Sequence, residues 1–303
     1  MVEGIIPIYK AAGMTSHDVV ARARRILGTR RIGHTGTLDP QVTGVLPLCI
    51  GRATRMVEYI QELPKEYEAE MILGFATDTE DVTGKVIAKS DKPVVIEEAA
   101  ILRALTEMEG QIEQTPPMYS AVKVDGKRLY ELAREGKTVE RKVRKAWIYQ
   151  IELLSYDAAC AEPRLKFRVR CSKGTYIRTL CVDIGKSLGV PAVMSELVRT
   201  RTGPFTTADC VTLEQLEQHV QSDQLASCLL PPDQGVVHFP SAHVDQQTAE
   251  RLCDGLRKPI TNHEGWPVDQ LVRVYGPADT FIGIFRLDSS SRLSPVKVFR
   301  HDD

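Results

Sequence analysis

No stretch of this chain is apolar for long enough to cross a bilayer: runs such as Gly44 to Ile50 fall far short of the roughly 20 residues that a membrane helix needs. The N-terminus also lacks a charged start followed by an apolar signal core, so the expectation is a cytoplasmic protein with no membrane contact. Paired cysteines are missing too. The seven cysteines, at 49, 160, 171, 181, 210, 228 and 253, include no Cys-x-x-Cys pair, and an odd number cannot all pair within one chain, so they read as reduced thiols. Neither they nor the seven histidines cluster at ligand spacing, and no structural metal is expected. Internal repeats and low-complexity tracts are absent as well. What remains is ordinary globular composition, with 43% hydrophobic and 26% charged residues, in a 303-residue chain with room for two or three domains.

A net excess of positive charge is also lacking. The formal charge of −1 taken alone argues against a nucleic-acid partner, but its distribution is uneven. Arg22, Arg24, Arg25, Arg30 and Arg31 fall between Asp18 and Asp39 with no acid among them, and Arg164, Lys166, Arg168, Arg170, Lys173 and Arg178 fall in the same way between Glu162 and Asp183. A third block holds Lys137, Arg141, Lys142, Arg144 and Lys145, while residues 209–233 carry acids and no lysine or arginine. A polarised surface with basic faces is what an RNA partner requires.

Arg164-Leu-Lys-Phe-Arg-Val-Arg-Cys alternates basic and apolar residues with period two, so a strand there points Leu165, Phe167, Val169 and Cys171 inward and four cations outward. That outer face is either a phosphate-facing surface or the solvated face of an antiparallel sheet. Thr15 or Ser16 is placed to cap a helix reaching about Leu27, with Val19, Val20, Ala23, Ile26 and Leu27 as its apolar stripe. Further helices are predicted over 97–110, 126–136 and 183–188, and strands around 67–75, 84–89 and 143–155. Mixed elements without regular βαβ alternation predict an α+β fold on a mixed, largely antiparallel sheet. Pro231-Pro-Asp-Gln-Gly follows an acidic helical stretch and predicts a boundary. The expected division is a catalytic domain over 1–235 and a small β-rich domain over 238–303, the latter with a helix from Gln246 to Gly255 and several short strands.

The densest chemistry lies in Gly33-His-Thr-Gly-Thr-Leu-Asp-Pro-Gln-Val-Thr-Gly, followed at once by the apolar run from Val45. Its glycines permit close backbone approach to a ligand, and Pro40 pins the chain directly after Asp39. A phosphate-cradling loop is excluded, because no Gly-Lys-Ser/Thr follows at the required spacing. Composition leaves two readings of Asp39 open, a reactive carboxylate or an Asx-type turn that closes the loop.

This block resembles the catalytic loop of the tRNA pseudouridine synthase B family, and the resemblance extends through Gly13-Met-Thr-Ser, Lys65-Glu-Tyr-Glu-Ala, the Gly74, Thr77, Thr79, Asp81, Gly84 pattern, Pro116-Pro-Met-Tyr-Ser-Ala, Gly174-Thr-Tyr-Ile-Arg, and Leu197 with Arg199-Thr-Arg-Thr-Gly-Pro-Phe. One departure is Ala11, where the family has proline after the lysine, so a rigid turn is lost.

The resemblance implies isomerisation of the T-loop uridine of tRNA, position 55 in tRNA numbering, by a monomer that needs no cofactor. The target base must leave its stack, at a cost of a few kcal/mol, and be held by stacking and edge contacts. By the same resemblance Asp39 is the catalytic carboxylate, either attacking ribose C1′ or initiating deprotonation of the sugar. Tyr67 would lie against the flipped base or serve as a base itself, with plain core packing as the alternative. Arg178 would offset the desolvation of Asp39, and Tyr176, two residues earlier, would share its face if the segment is extended. Leu197 would wall off water, unless it is simply a core leucine. His34 is implied to hold the RNA loop open, Asp81 to support RNA or the site arginines, and Lys10 and Lys65 to contact phosphate or support the site. A calcium loop at Asp81 is excluded, since Lys89 stands where the bidentate acid belongs. The tail from residue 238 resembles a PUA-type RNA-binding domain. Two other classes compete: an RNA-binding or RNA-folding protein without catalysis, and a hydrolase that cleaves N-glycosidic bonds.

Overall fold

The computed structural model describes residues 2–124, 126–159, 162–260 and 265–299. Helix α1 (Ser16–Leu27) begins as its sequence predicts, with a capping box in which the Thr15 hydroxyl accepts from the Asp18 amide at 3.1 Å and Asp18 Oδ2 accepts from the Thr15 amide at 2.9 Å. Its stripe of Val19, Val20 and Ala23 is buried against β1 (Gly4–Lys10), β2 (Ile32–His34) and β3 (Thr43–Ile50).

The main sheet continues through β4 (Lys65–Leu73), β5 (Gly110–Gln114), β6 (Arg144–Asp157), β7 (Arg164–Cys171), β8 (Ala192–Thr202) and β9 (Phe205–Thr206). Its order is β1-β3-β8-β4-β7-β6-β5, with β2 on β3 and β9 on β8. Only the β3–β8 contact is parallel, so the sheet is mixed and largely antiparallel, as the sequence implied. Leu165, Phe167, Val169 and Cys171 of β7 point into the core, where α3 (Glu98–Glu107) and α5 (Ile177–Ser187) cover that face.

The opposite face departs from one reading of the sequence. Arg164, Lys166 and Arg168 project outward, yet they meet Glu70 and Glu68 of β4, with Arg168 also reaching Glu152 of β6. This stretch is an internally neutralised ladder, because the acids alternate on the neighbouring strand rather than on the basic one.

Shorter helices are α2 (Val57–Glu62), α4 (Leu129–Arg134) and α6 (Leu213–Gln221). The segment Pro232–Val236 forms a 3-10 turn with Asp233, Gly235 and Val236 buried. Beyond it, β10 (Ser241–His243), α7 (Gln246–Cys253), β11 (Lys258–Pro259), β12 (Leu271–Tyr275), β13 (Phe281–Leu287) and β14 (Arg292–Val298) build a second sheet in the order β10-β12-β13-β14-β11. Phe281, Ile284 and Phe299 share one apolar cluster with Ile5, Val45 and Met56 of the main sheet and its flank. Cys49, Cys171, Cys181, Cys210 and Cys228 carry free thiols, while Cys160 lies outside the described residues.

Candidate active site

A cleft of about 350 Å³ opens where the β2–β3 loop, the central strands β4 and β8, and the start of α5 converge. Asp39, Tyr67, Tyr176, Arg178, Leu197 and Lys65 all line it.

The loop that carries Asp39 is fixed from several directions. Ser16 Oγ accepts from the Leu38 amide at 2.9 Å, and the Pro40 carbonyl accepts from the Gly13 amide at 2.9 Å. Lys10 is fully buried, and its ammonium donates to the carbonyls of Ala11, Met14 and Pro40 at 2.7–3.0 Å. Lys10 is therefore a strut beneath the loop rather than a surface phosphate ligand. Burial pushes its pKa down to about 8, against the pull of Asp39. Arg199, the largest fully buried side chain, clamps the loop from β8: Nε donates to the Val45 carbonyl at 2.7 Å and Nη2 to the Gly36 carbonyl at 3.2 Å.

Arg178 is the second residue of α5, preceded by the N-cap Tyr176. The two do not share an extended segment, as the spacing suggested; a helix start brings both to the cleft. The side chain of Arg178 is 6% exposed, and its guanidinium joins three segments, donating from Nη1 to the Thr79 carbonyl (2.8 Å) and from Nη2 to the Tyr119 carbonyl (2.7 Å), with Asp39 Oδ2 at 2.9 Å. Asp39 itself is 44% exposed toward the cleft, so the pair presents a carboxylate oxygen rather than consuming it.

Tyr67 lies on β4 with Arg199 and Val169 as its cross-strand neighbours. Burial pushes its phenol pKa up, with Arg199 pulling the other way, so the hydroxyl is a neutral donor near pH 7. Burial likewise raises Tyr176, whose backbone is bracketed by the Gln114 side chain through bonds of 2.9 and 3.1 Å. The ammonium of Lys65 donates to the Leu63 carbonyl at 2.7 Å and to the Gln61 carbonyl, and burial lowers its pKa to about 8.

Besides Lys10, two more expected residues stand outside the cleft wall. His34 precedes it in β2, its Nδ1 accepting from the Gly36 amide at 3.3 Å and its ring edge-on to His17 at 5.5 Å; burial, His17 and Arg199 hold its pKa below 6.5. Asp81 folds a turn by accepting from the Thr79 hydroxyl and the Thr83 amide, and the Thr79 carbonyl in that turn receives Arg178.

Sequence reasoning missed Arg199, Gln114 and the Tyr119 carbonyl. It also missed a buried hydroxyl in the cleft wall, Thr35 Oγ1, which has no hydrogen-bond partner among the described residues. Polar atoms left unsatisfied in a cleft are positioned to meet a ligand's polar edge.

Residues 24–177 match the model of the TruB family pseudouridylate synthase N-terminal domain. Residues 178–237 match the tRNA pseudouridylate synthase B C-terminal domain, and residues 240–299 the C-terminal model of pseudouridine synthase II TruB. The chain is 45% identical to a tRNA pseudouridine synthase B of Geobacillus thermodenitrificans, over 98% of this chain and 100% of that one. It is 43% identical to the one of Halalkalibacterium halodurans, over 99% and 98% respectively. Among solved structures, a chain from an H/ACA ribonucleoprotein bound to a substrate RNA containing 2′-deoxyuridine superposes with a TM-score of 0.77 at 28% identity, over 99% of this chain and 86% of that one.

Proposed function

The chain belongs to the TruB family of pseudouridylate synthases and is a tRNA pseudouridine synthase; we propose that its target is the T-loop uridine at position 55 and that Asp39 is its catalytic carboxylate. The observation that carries this reading is the Asp39–Arg178 pair, 2.9 Å apart, with a buried guanidinium and a carboxylate that faces a cleft also lined by Tyr67 and Leu197.

The nucleotide enters flipped from its stack, its base against the Tyr67 ring and its polar edge toward the unpartnered hydroxyl of Thr35. Asp39 then acts on the ribose, by attack at C1′ or by initiating sugar deprotonation, and the N1–C1′ bond breaks. The detached base turns, C5 bonds to C1′, the C5 proton leaves and N1 gains a proton. The product is an isomer of the substrate, so redox and group-transfer partners are unnecessary. Leu197 shields the intermediate from water, which would otherwise convert isomerisation into cleavage. Arg178 holds Asp39 in place, Tyr176 and Lys65 border the bound nucleotide, and Lys10 and Asp81 act from behind by fixing the Asp39 loop and the Thr79 turn. His34 stands at the loop's base to keep the RNA open. In this reading the enzyme is a cytoplasmic monomer that engages the T-arm, with catalysis in residues 1–235 and a PUA-like RNA-binding domain in 238–303.

Tritium release from C5-labelled uridine in a tRNA transcript tests the assignment. The wild type releases label in buffer with chelator and no cofactor, and Asp39→Asn and Asp39→Ala release none. Release by either variant at the wild-type rate removes Asp39 from the chemistry.

A further inference from the structure

The solvent face of the main sheet carries its neutralised ladder along most of β7 but not to the end. Arg164 meets Glu70 at 2.7 Å, and Glu68 takes Arg168 at 2.9 Å and Lys166 at 3.5 Å. The last row is Arg170–Glu66–Arg201, one residue each from β7, β4 and β8 in register. Here the balance breaks. Glu66 accepts from the Thr200 hydroxyl at 2.9 Å, and neither Arg170 nor Arg201 has an ion-pair partner within 4.0 Å among the described residues. Both arginines are exposed.

A bulge in β8 creates this row. Arg199 pairs with Tyr67 and Arg201 with Glu66, so the extra residue Thr200 turns Arg201 to the face opposite the buried Arg199. A second irregularity in β6, between Ile148 and Gln150, leaves Tyr149 beside Arg170, whose guanidinium lies 5.8 Å from the ring centroid. Tyr149 and Trp147 are 47% and 46% exposed, two large aromatic side chains on one solvent-facing strand beside a basic row.

A cavity of about 180 Å³ opens at the row, walled by Lys65, Glu66, Arg170, Arg201, Val237 and His238. Lys65 lines both this cavity and the Asp39 cleft, while Glu66, Arg170 and Arg201 lie on the sheet face opposite Tyr67 and Arg199. Two unpaired guanidinium groups facing one carboxylate, which is itself engaged elsewhere, suit a phosphodiester better than a carboxylic ligand or a cation. The exposed rings beside them suit an adjoining base or sugar, which a free anion would not use.

We propose that the Arg170–Arg201 cavity is a second RNA subsite, which holds a backbone phosphate of the substrate outside the flipped nucleotide while the Tyr149 and Trp147 rings carry an adjoining residue. This rests on the reading of the chain as an enzyme that binds tRNA. The subsite anchors the RNA and touches no reacting atom, so it acts on binding and not on the chemical step.

The test measures the dissociation constant of a T-arm stem-loop RNA against salt concentration, for the wild type and for Arg170→Gln, Arg201→Gln and the double variant, with tritium release and a thermal melt for each. A lost phosphate contact lowers the log–log salt slope by about 0.7–0.9. The double variant is expected to show that drop, at least about 5-fold weaker binding at moderate salt, an unchanged melting temperature and an unchanged kcat at saturating RNA. Wild-type affinity and slope in the double variant overturn the subsite, as does weaker binding that tracks a lowered melting temperature. If inorganic phosphate at millimolar concentration removes the difference between the wild type and the double variant without displacing RNA from the wild type, the cavity is a free-anion site and the proposal falls. Absence of tritium release from the wild type would instead defeat the functional reading, which the binding arm does not use.

Discussion

One exposed carboxylate is surrounded by four buried cations, Lys10, Lys65, Arg178 and Arg199, and only Arg178 forms an ion pair among the described residues. The others exchange water for backbone carbonyls, three of them around Lys10 alone. Carbonyl dipoles replace hydration incompletely, which is why burial drives the Lys10 pKa from 10.5 to about 8. A lowered pKa in the folded state carries a sign. Below about pH 8 the lysine is protonated in both states, and the fold bears the full desolvation penalty. Between about pH 8 and the unfolded value near 10.5 the folded chain gives up its proton first, so the unfolded chain binds more protons and stability rises with pH. The stability margin of the wild type over Lys10→Met should therefore widen as pH is raised from about 7.5 to about 10, with Lys65 cancelling because both proteins contain it. Urea melts at the two pH values measure that margin, and a margin that is constant or shrinks would show that the Lys10 ammonium is not destabilised by its burial.

At the level of elements, the site depends on how closely β3 approaches β8. Gly44 has φ +110°, and a Cβ built there would lie 2.2 Å from the Arg199 carbonyl oxygen. Gly44→Ala is expected to cost at least about 1–3 kcal/mol from backbone strain, with the clash added, and to pull Arg199 away from the Val45 and Gly36 carbonyls. Tritium release should then fall by more than the loss of folded protein explains. An alanine variant with wild-type stability and activity would mean that the strands separate freely at this point. Glycine at 44 was visible in the sequence, but the partner that demands it was not. The same limit accounts for most of what the sequence left unread. The α1 cap, the β7 alternation and the Asp39 loop are local signals, and each was legible from a few neighbouring residues. Arg199 and Arg201 occupy one short motif, and only a bulge, which depends on pairing with β4, sends one into the core and the other into solvent. Glu66, Glu68 and Glu70 alternate plainly in the sequence, yet nothing local tells that they face the β7 cations. The first residues of α5 read as extended because Thr175, Tyr176 and Ile177 favour strands, and the Gln114 side chain that brackets the Tyr176 backbone comes from β5.

Across the whole molecule, the two sheets meet through a seam that is apolar at its centre and polar at its rim. Phe281, Ile284 and Phe299 pack with Ile5, Val45 and Met56. Around them Arg55 donates to the Val298 carbonyl at 2.6 Å, Lys297 pairs with Glu58 at 2.7 Å, and the Tyr275 hydroxyl donates to Asp233 Oδ2 at 2.8 Å. Asp233 is only 7% exposed, and burial together with that carboxylate raises the Tyr275 phenol to about 12, so the donor is present at every physiological pH. Tyr275→Phe removes the hydroxyl and leaves a carboxylate oxygen buried and short of a partner, at a cost of about 1–3 kcal/mol. If the seam couples the sheets, that penalty falls on both. The two tryptophans separate the outcomes, because Trp147 lies in the main sheet and Trp266 packs on the second. In Trp147→Phe and Trp266→Phe backgrounds, each retaining one fluorophore, denaturant melts should share one midpoint, and Tyr275→Phe should lower both equally. A shift confined to the Trp266 signal would mean that the second sheet unfolds by itself and that the seam adds nothing to the stability of the cleft.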